Sequence, residues 1–276
     1  MTIAGELRDR FRILRMLGRS LHAEVFVARD VVTGRLTALK LLEPWFARRL
    51  AGAGRLGELE DLAMASPPGV VRIDAVGRTA DAGAYVATRL HERQSLACRL
   101  ASGALPCADA IRFCLDVGRA LQAARARGVQ HGGVKASNVF AVADPTQPRG
   151  ERALLGDFAT ATPRSRGLAP LDDTRDLGAL LHELVANEAY GGEGVPALIE
   201  RGVPTAVAIV IAESGRTATL DDVVDALELI AATAAFDADP TETNLPLRPP
   251  PPPRRGAPEL TTAFTRVDLD GVDVAA

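Results

Sequence analysis

Along the first third of the chain, apolar residues come in short runs broken by polar ones, the period of a half-buried strand. Phe11-Arg12-Ile13-Leu14-Arg15-Met16-Leu17, Glu24-Val25-Phe26-Val27-Ala28-Arg29 and Leu36-Thr37-Ala38-Leu39-Lys40-Leu41-Leu42 read as strands, separated by turn signals at Gly18-Arg19-Ser20 and Thr33-Gly34. The spacing predicts an antiparallel meander. A helical pattern runs roughly from Ala51 to Ala65 and stops at Pro67-Pro68-Gly69, and two more strands are expected at Val70 to Ile73 and Ala84 to Thr88. Five strands and one helix would make a small first lobe.

After Arg93 the period lengthens. Pro106 opens an amphipathic helix whose stripe is Ile111, Leu115, Val117, Gly118, Leu121 and Ala124, ending near Gly128. Further helices are expected from Asp173 to Val185, with Leu177, Leu180, Leu181 and Leu184 inward, and from Leu220 to Ile230. The second lobe reads as mainly helical. Beyond Asp237 the periodicity stops, and Pro249 to Pro253 predict a polyproline II segment within a disordered end. The chain therefore divides into an extension at 1–10, a first lobe at 11–92, a second lobe at 93–236 and a proline-rich tail at 237–276, an α+β organisation.

Composition narrows the partners. The chain has 276 residues, 47% of them hydrophobic, and a formal charge of -3, so no electrostatic footprint for nucleic acid or an anionic membrane is present. The first residues lack a signal peptide's apolar core and no run of about 18 apolar residues suggests a membrane span, which reads as a cytoplasmic protein. Cys98, Cys107 and Cys114 form no CxxC pair and are odd in number, against a disulfide framework.

Two stretches carry chemistry. His131-Gly132-Gly133-Val134-Lys135-Ala136-Ser137-Asn138 and Gly156-Asp157-Phe158-Ala159 resemble the catalytic loop H-R-D-x-K-x-x-N and the D-F-G motif of protein kinases. The element order resembles that family, especially bacterial Ser/Thr kinases, over roughly Phe11 to Ala232. The resemblance implies a two-lobed kinase-like fold and a site for ATP and magnesium (Mg2+). It places Gly18 and Val25 in the glycine-rich loop, Ala38 and Lys40 on the strand that contacts the α- and β-phosphates, and Glu58, with Glu60 as the alternative, as the ion-pair partner of Lys40. Thr88 to Glu92 would be the hinge against adenine, with Thr88 the gatekeeper. Lys135, Asn138 and Asp157 would serve phosphate and metal, Asn138 and Asp157 being the magnesium ligands. For Lys40 a solvated edge position is the plain alternative, but an unpaired ammonium in an apolar run is costly. His131 reads as a core histidine. Asp173 is either a simple helix cap or an acceptor for the amides of the catalytic loop.

The departures agree with one another. Gly133 occupies the position of the aspartate that orients the substrate hydroxyl and takes its proton. Gly132 replaces the arginine that gathers a phosphorylated activation loop, only about fifteen residues separate Asp157 from Asp173, and no A-P-E triplet lies between them. Ser20 and Ala23 stand where the glycine-rich loop has its other two glycines. Arg216, without that triplet's glutamate, reads as a surface residue. The leading expectation is a pseudokinase that binds ATP with magnesium and acts as a regulatory or scaffolding module, recruiting protein partners through the tail at 246–265, where Thr261, Thr262 and Thr265 could accept phosphate. An atypical active kinase and a nucleotide-free interaction domain are the alternatives.

Overall fold

A computed structural model describes residues 5–91, 94–147, 149–158 and 172–236. The expectations for Glu92, for Ala159 and the segment up to Leu171, and for the tail at 237–276 lie outside the described residues.

A short helix α1 (Gly5–Arg10) leads into β1 (Phe11–Arg19), β2 (Ala23–Asp30) and β3 (Leu36–Leu42). Helices α2 (Pro44–Gly52) and α3 (Arg55–Ala65) follow, then β4 (Ile73–Arg78) and β5 (Ala84–Arg89). The five strands form one antiparallel sheet in the order β1-β2-β3-β5-β4. Alternation gives the sheet two different faces. Leu39 and Leu41 point into a small cluster with Leu7, Phe11, Ala28 and Ala87, which α1 helps to cover, whereas Leu42 joins the large core shared with the helices. Lys40 lies on that second face.

One helix expected from Ala51 to Ala65 is in fact two. Gly54, at φ 75°, breaks the run in a left-handed conformation that glycine adopts without a Cβ penalty. The fourth strand also begins later than expected. Val70 instead bridges Leu155 in parallel, and Leu155 N–H donates to Gly69 O at 2.8 Å, joining the α3–β4 connection to the second lobe. Gly69 has φ 77°, and a Cβ there would lie 2.9 Å from that of Ala120, so the connection sits directly on the long helix beneath.

The second lobe contains α4 (Leu96–Leu100), α5 (Cys107–Arg125), a single 3₁₀ turn (Ala136–Asn138), the hairpin β6 (Val139–Ala143) and β7 (Glu151–Leu155), and α6 (Asp173–Ala186). Helices α7 (Val195–Glu200), α8 (Thr205–Ser214) and α9 (Leu220–Phe236) complete it. Helix α5 is its axis: the expected stripe residues Ile111, Leu115, Val117, Gly118, Leu121 and Ala124 are all buried. Cys114 is buried there too, where loss of solvent pushes its thiol pKa far up, and all three cysteines are free. No described helix is long and apolar enough to cross a membrane.

Candidate functional site

Strand register assembles the first half of the site. Gly18 pairs with Val25, Val25 with Lys40 and Lys40 with Val86, while Ala38 pairs with Thr88. Opposed residues of an antiparallel pair share a face, and so do residues two apart. Gly18, Val25, Ala38, Lys40 and Thr88 therefore lie on one face, although up to 70 positions separate them. Lys40 identifies that face as the one toward the second lobe, because its Nζ pairs with Asp157 Oδ1 at 2.5 Å. Thr37 faces the other way in sequence, and its hydroxyl donates to Thr88 O at 2.6 Å, tying β3 to the end of β5.

The second half is a set of loops held from below. His131 is completely buried. Its Nδ1 accepts from Gly133 N–H at 3.1 Å, so Nε2 carries the proton and donates to Gly156 O at 2.8 Å. Burial holds the pKa of this histidine below its usual value, outweighing Gly156 O and the carboxylates of Asp173 and Asp157. The ring also meets Phe158 edge-on at 4.6 Å, and Phe158 is buried. Asp157 itself has φ 64°, a left-handed conformation unusual for a side-chain-bearing residue and most tolerated by Asn and Asp. Its carboxylate reaches Lys40 from there.

Asp173 accepts the amides of His131 at 2.8 Å and Gly132 at 2.7 Å. The cap of α6 is Asp172, which accepts Arg175 N–H at 3.1 Å, so the two aspartates divide the roles that the sequence leaves open for one. Asn138 donates its side-chain amide to Gly133 O at 3.1 Å, and its own carbonyl accepts Gly156 N–H at 2.8 Å. The catalytic-type loop and the Gly156-Asp157 segment are thereby stitched together. Lys135 is exposed at the rim.

Glu58 is on α3 as expected, yet it pairs with Arg55 at 2.6 Å. Arg55 is a residue for which sequence reasoning had no role. It is 9% exposed, and its other terminal nitrogen donates to Gln130 O at 2.8 Å and His131 O at 3.2 Å. A guanidinium so buried needs a counter-ion, and the carboxylate one turn along its own helix supplies it. Lys40 takes Asp157 instead. Glu60 is exposed. An arginine at the start of an apolar helix was the available signal, but its partners lie 75 and 76 positions away.

At the turn between β1 and β2, Ser20 closes on itself. Its Oγ accepts the amides of His22 at 3.3 Å and Ala23 at 3.2 Å, and Ser20 N–H donates to Ala23 O at 2.8 Å. The His22 ring packs against Trp45 and Phe46 of α2 at 5.3 and 4.9 Å, and His22 O accepts Glu43 N–H. This turn is therefore anchored to the helix behind it.

For a divalent cation, Asn138 and Asp157 offer the oxygen donors that hard ions take. Asn138 donates through its nitrogen, which leaves its oxygen for a ligand. Asp157 carries Lys40, so a cation there would have to share or displace that ammonium.

No family model matches the chain. In sequence it is similar to the serine/threonine-protein kinase pkn2 of Myxococcus xanthus, 33% identical over 156 residues, 56% of this chain and 18% of the relative. It is also similar to the serine/threonine-protein kinase PknE of Mycobacterium tuberculosis, 33% identical over 160 residues, 55% of this chain and 26% of that protein. The chain thus spans about a quarter or less of the length of these relatives. In structure it is similar to the PknI kinase domain of Mycobacterium tuberculosis. One solved form of that domain has TM-score 0.67 and 22% identity, covering 84% of this chain and 97% of that domain.

Proposed function

We propose that this member of the protein-kinase superfamily, related in sequence to bacterial serine/threonine kinases and folded like a kinase domain, is a pseudokinase with a regulatory or scaffolding role. One observation carries the reading. Gly133, which the resemblance puts at the position of the proton-accepting aspartate, has no side chain and uses its carbonyl to hold Asn138, while the carboxylate of Asp173 beneath that loop accepts two backbone amides. A positioned base contributes about 10²–10⁴-fold to transfer, and nothing at Gly133 can supply it.

Lys40, Asn138 and Asp157 would hold ATP with magnesium, Lys40 meeting phosphate oxygens and the other two the cation. Magnesium, when bound, supplies charge neutralisation of the phosphates. The chain's own part is to orient that group between the sheet face of Val25, Ala38 and Thr88 and the loop of Asn138. Recruitment of a protein partner through the tail belongs to the same reading.

The test is transfer of radiolabelled phosphate from ATP by purified protein to itself and to generic protein substrates. No transfer is expected. Robust transfer that disappears in Asp157→Ala would overturn the pseudokinase reading in favour of an atypical active kinase.

A second reading, a nucleotide-free interaction domain, has one observation in its favour: the Ser20 hydroxyl already occupies the amides of His22 and Ala23. Absence of any thermal shift with ATP and magnesium would establish it over the first.

A further inference from the structure

Beside the stretch that follows Thr88, the α3–β4 connection, the end of β5 and the β6–β7 hairpin surround a cavity of about 350 Å³. Arg72, Arg89, Arg152 and His91 line it, and among the described residues no carboxylate does. Ile73 pairs with Thr88, so Arg72 stands opposite Arg89, and Arg89 N–H donates to Arg72 O at 3.0 Å. Two like charges directly opposed across a strand pair repel, which destabilises the pair unless an anion lies between them.

The existing counter-ions pair two of the three arginines and leave Arg89 without one among the described residues. Arg72 engages Asp74 through Nε at 3.0 Å, and Arg152 engages Asp144 through Nε at 3.4 Å, so the terminal nitrogens of both guanidiniums remain available. Arg89 has no acidic partner among the described residues. His91 is held by Gln94 at Nδ1, and burial first, then the charge of Arg89, keeps its pKa low; the local potential is positive. Pro67, Pro68, Val142 and Leu154 give the cavity an apolar wall. The framework is preformed, because Gly69 and Leu155 lock its floor to the second lobe.

We propose that this cavity binds a phosphomonoester, with its dianion gripped by Arg72, Arg89 and Arg152 and its carbon stem against the prolines. Guanidinium forks match phosphate oxygens two at a time, and a doubly charged oxyanion answers three cations better than a carboxylate does. Arg89 and His91 belong to the stretch expected as the hinge, but Arg89 alternates with Thr88 along β5 and so points to the sheet face opposite Ala38 and Lys40. Phosphate binding here does not require that ATP binds.

The experiment is NMR titration of the full chain at constant ionic strength with glycerol 3-phosphate, with a capped phosphothreonine tripeptide, and with the same tripeptide unphosphorylated. Saturable shifts at Val70, Arg89 and His91 are expected with a phosphorylated probe, weakened at least about tenfold in Arg89→Gln and in Arg152→Gln, since charge-assisted bonds are lost. Tighter binding of the tripeptide identifies a phosphorylated protein as the source, and tighter binding of glycerol 3-phosphate identifies a metabolite. All three arginines are exposed, so these variants should fold. As a check needing no variant, saturation of the wild type with phosphate should raise the depressed pKa of His91, which lines the cavity with Arg72, Arg89 and Arg152, Asp74 being paired with Arg72 and Asp144 with Arg152. No saturable shift with either phosphorylated probe, equal binding of the unphosphorylated tripeptide, binding unaffected by both substitutions, or an unmoved His91 would each overturn the proposal.

Discussion

Lys40 on β3 and Asp157 beyond β7 form a direct ion pair that spans 117 positions of sequence and ties the first lobe's sheet to the second lobe's loops. Glu58, the partner that the kinase resemblance implies for Lys40, is meanwhile held by Arg55. Lys40 is thus paired with the residue expected to hold metal rather than with the expected acid, and a nucleotide with its cation would have to compete with that pair.

Nucleotide binding should therefore depend on magnesium, which can replace Lys40 on Asp157. ATP with magnesium should raise the melting temperature; at about 100 times its dissociation constant a ligand stabilises by roughly 2.7 kcal/mol. Lys40→Ala should weaken the effect, and Asp157→Ala should remove its magnesium dependence while changing the ligand-free stability by less than about 1 kcal/mol, because the pair is partly exposed. Ser20→Gly should enlarge the effect by freeing the amides of His22 and Ala23. Thermal denaturation of the four proteins with ATP, with and without magnesium, checks all of this.

On the pseudokinase reading, a carboxylate introduced at position 133 should not produce phosphate transfer. Gly133→Asp would regain the base position, yet Gly132 still lacks the arginine and the fifteen-residue stretch still lacks the A-P-E triplet. Phosphate incorporation into a generic substrate should stay at the wild-type level; a clear gain would show that the missing base alone separates this chain from an active kinase.

Acid should destabilise the fold through His131. Its folded-state pKa lies below the ordinary 6.5, since burial disfavours the charged ring. Below about pH 6.5 the unfolded chain therefore binds a proton that the folded one refuses, and stability falls as pH drops toward the folded value. His91 acts in the same direction. The melting temperature between pH 7.5 and 5 should decline more steeply for wild type than for His131→Phe, whatever their absolute difference. Equal slopes would remove His131 from the account.

Arg55→Ala should cost about 2 kcal/mol or more of folding stability, because it leaves Gln130 O and His131 O without their donor beneath the loop. Urea unfolding measures it. The same change frees Glu58, so in the variant a new Lys40–Glu58 pair should compete with Asp157.

Gly178→Ala should destabilise by about 1–3 kcal/mol. A Cβ at Gly178 on α6 would stand 1.6 Å from Ser214 Oγ and 2.7 Å from Ser214 Cβ on α8. Turning the hydroxyl away cannot relieve the second contact. A melting temperature equal to wild type would mean that α6 and α8 separate easily.

The elements that rest on local periodicity were legible in the chain. The alternation of β1 to β3 and the stripe of α5 are properties of neighbours two, three or four residues apart, and the structure has these elements where the pattern predicts them. So was the buried place of His131, since the motif that contains it is contiguous. The break at Gly54 was missed because a glycine in a helical pattern is read as tolerated until backbone geometry shows its left-handed turn.

Sequence by itself determined which side chains are available: a glycine at 133, one lysine in an apolar strand, and acids at 58 and 157. Tertiary structure alone decided how those charges pair. Glu58, Asp157, Arg55 and Lys40 permit more than one set of ion pairs, and Coulomb attraction between neighbours is similar for each. The choice falls to burial and to backbone carbonyls that have to be satisfied. Arg55 is fixed by Gln130 O and His131 O and takes the nearest acid, leaving Asp157 to Lys40. The same holds for Arg72, Arg89 and Arg152, which no local pattern connects and which become one basic cavity only because β4, β5 and the β6–β7 hairpin meet there.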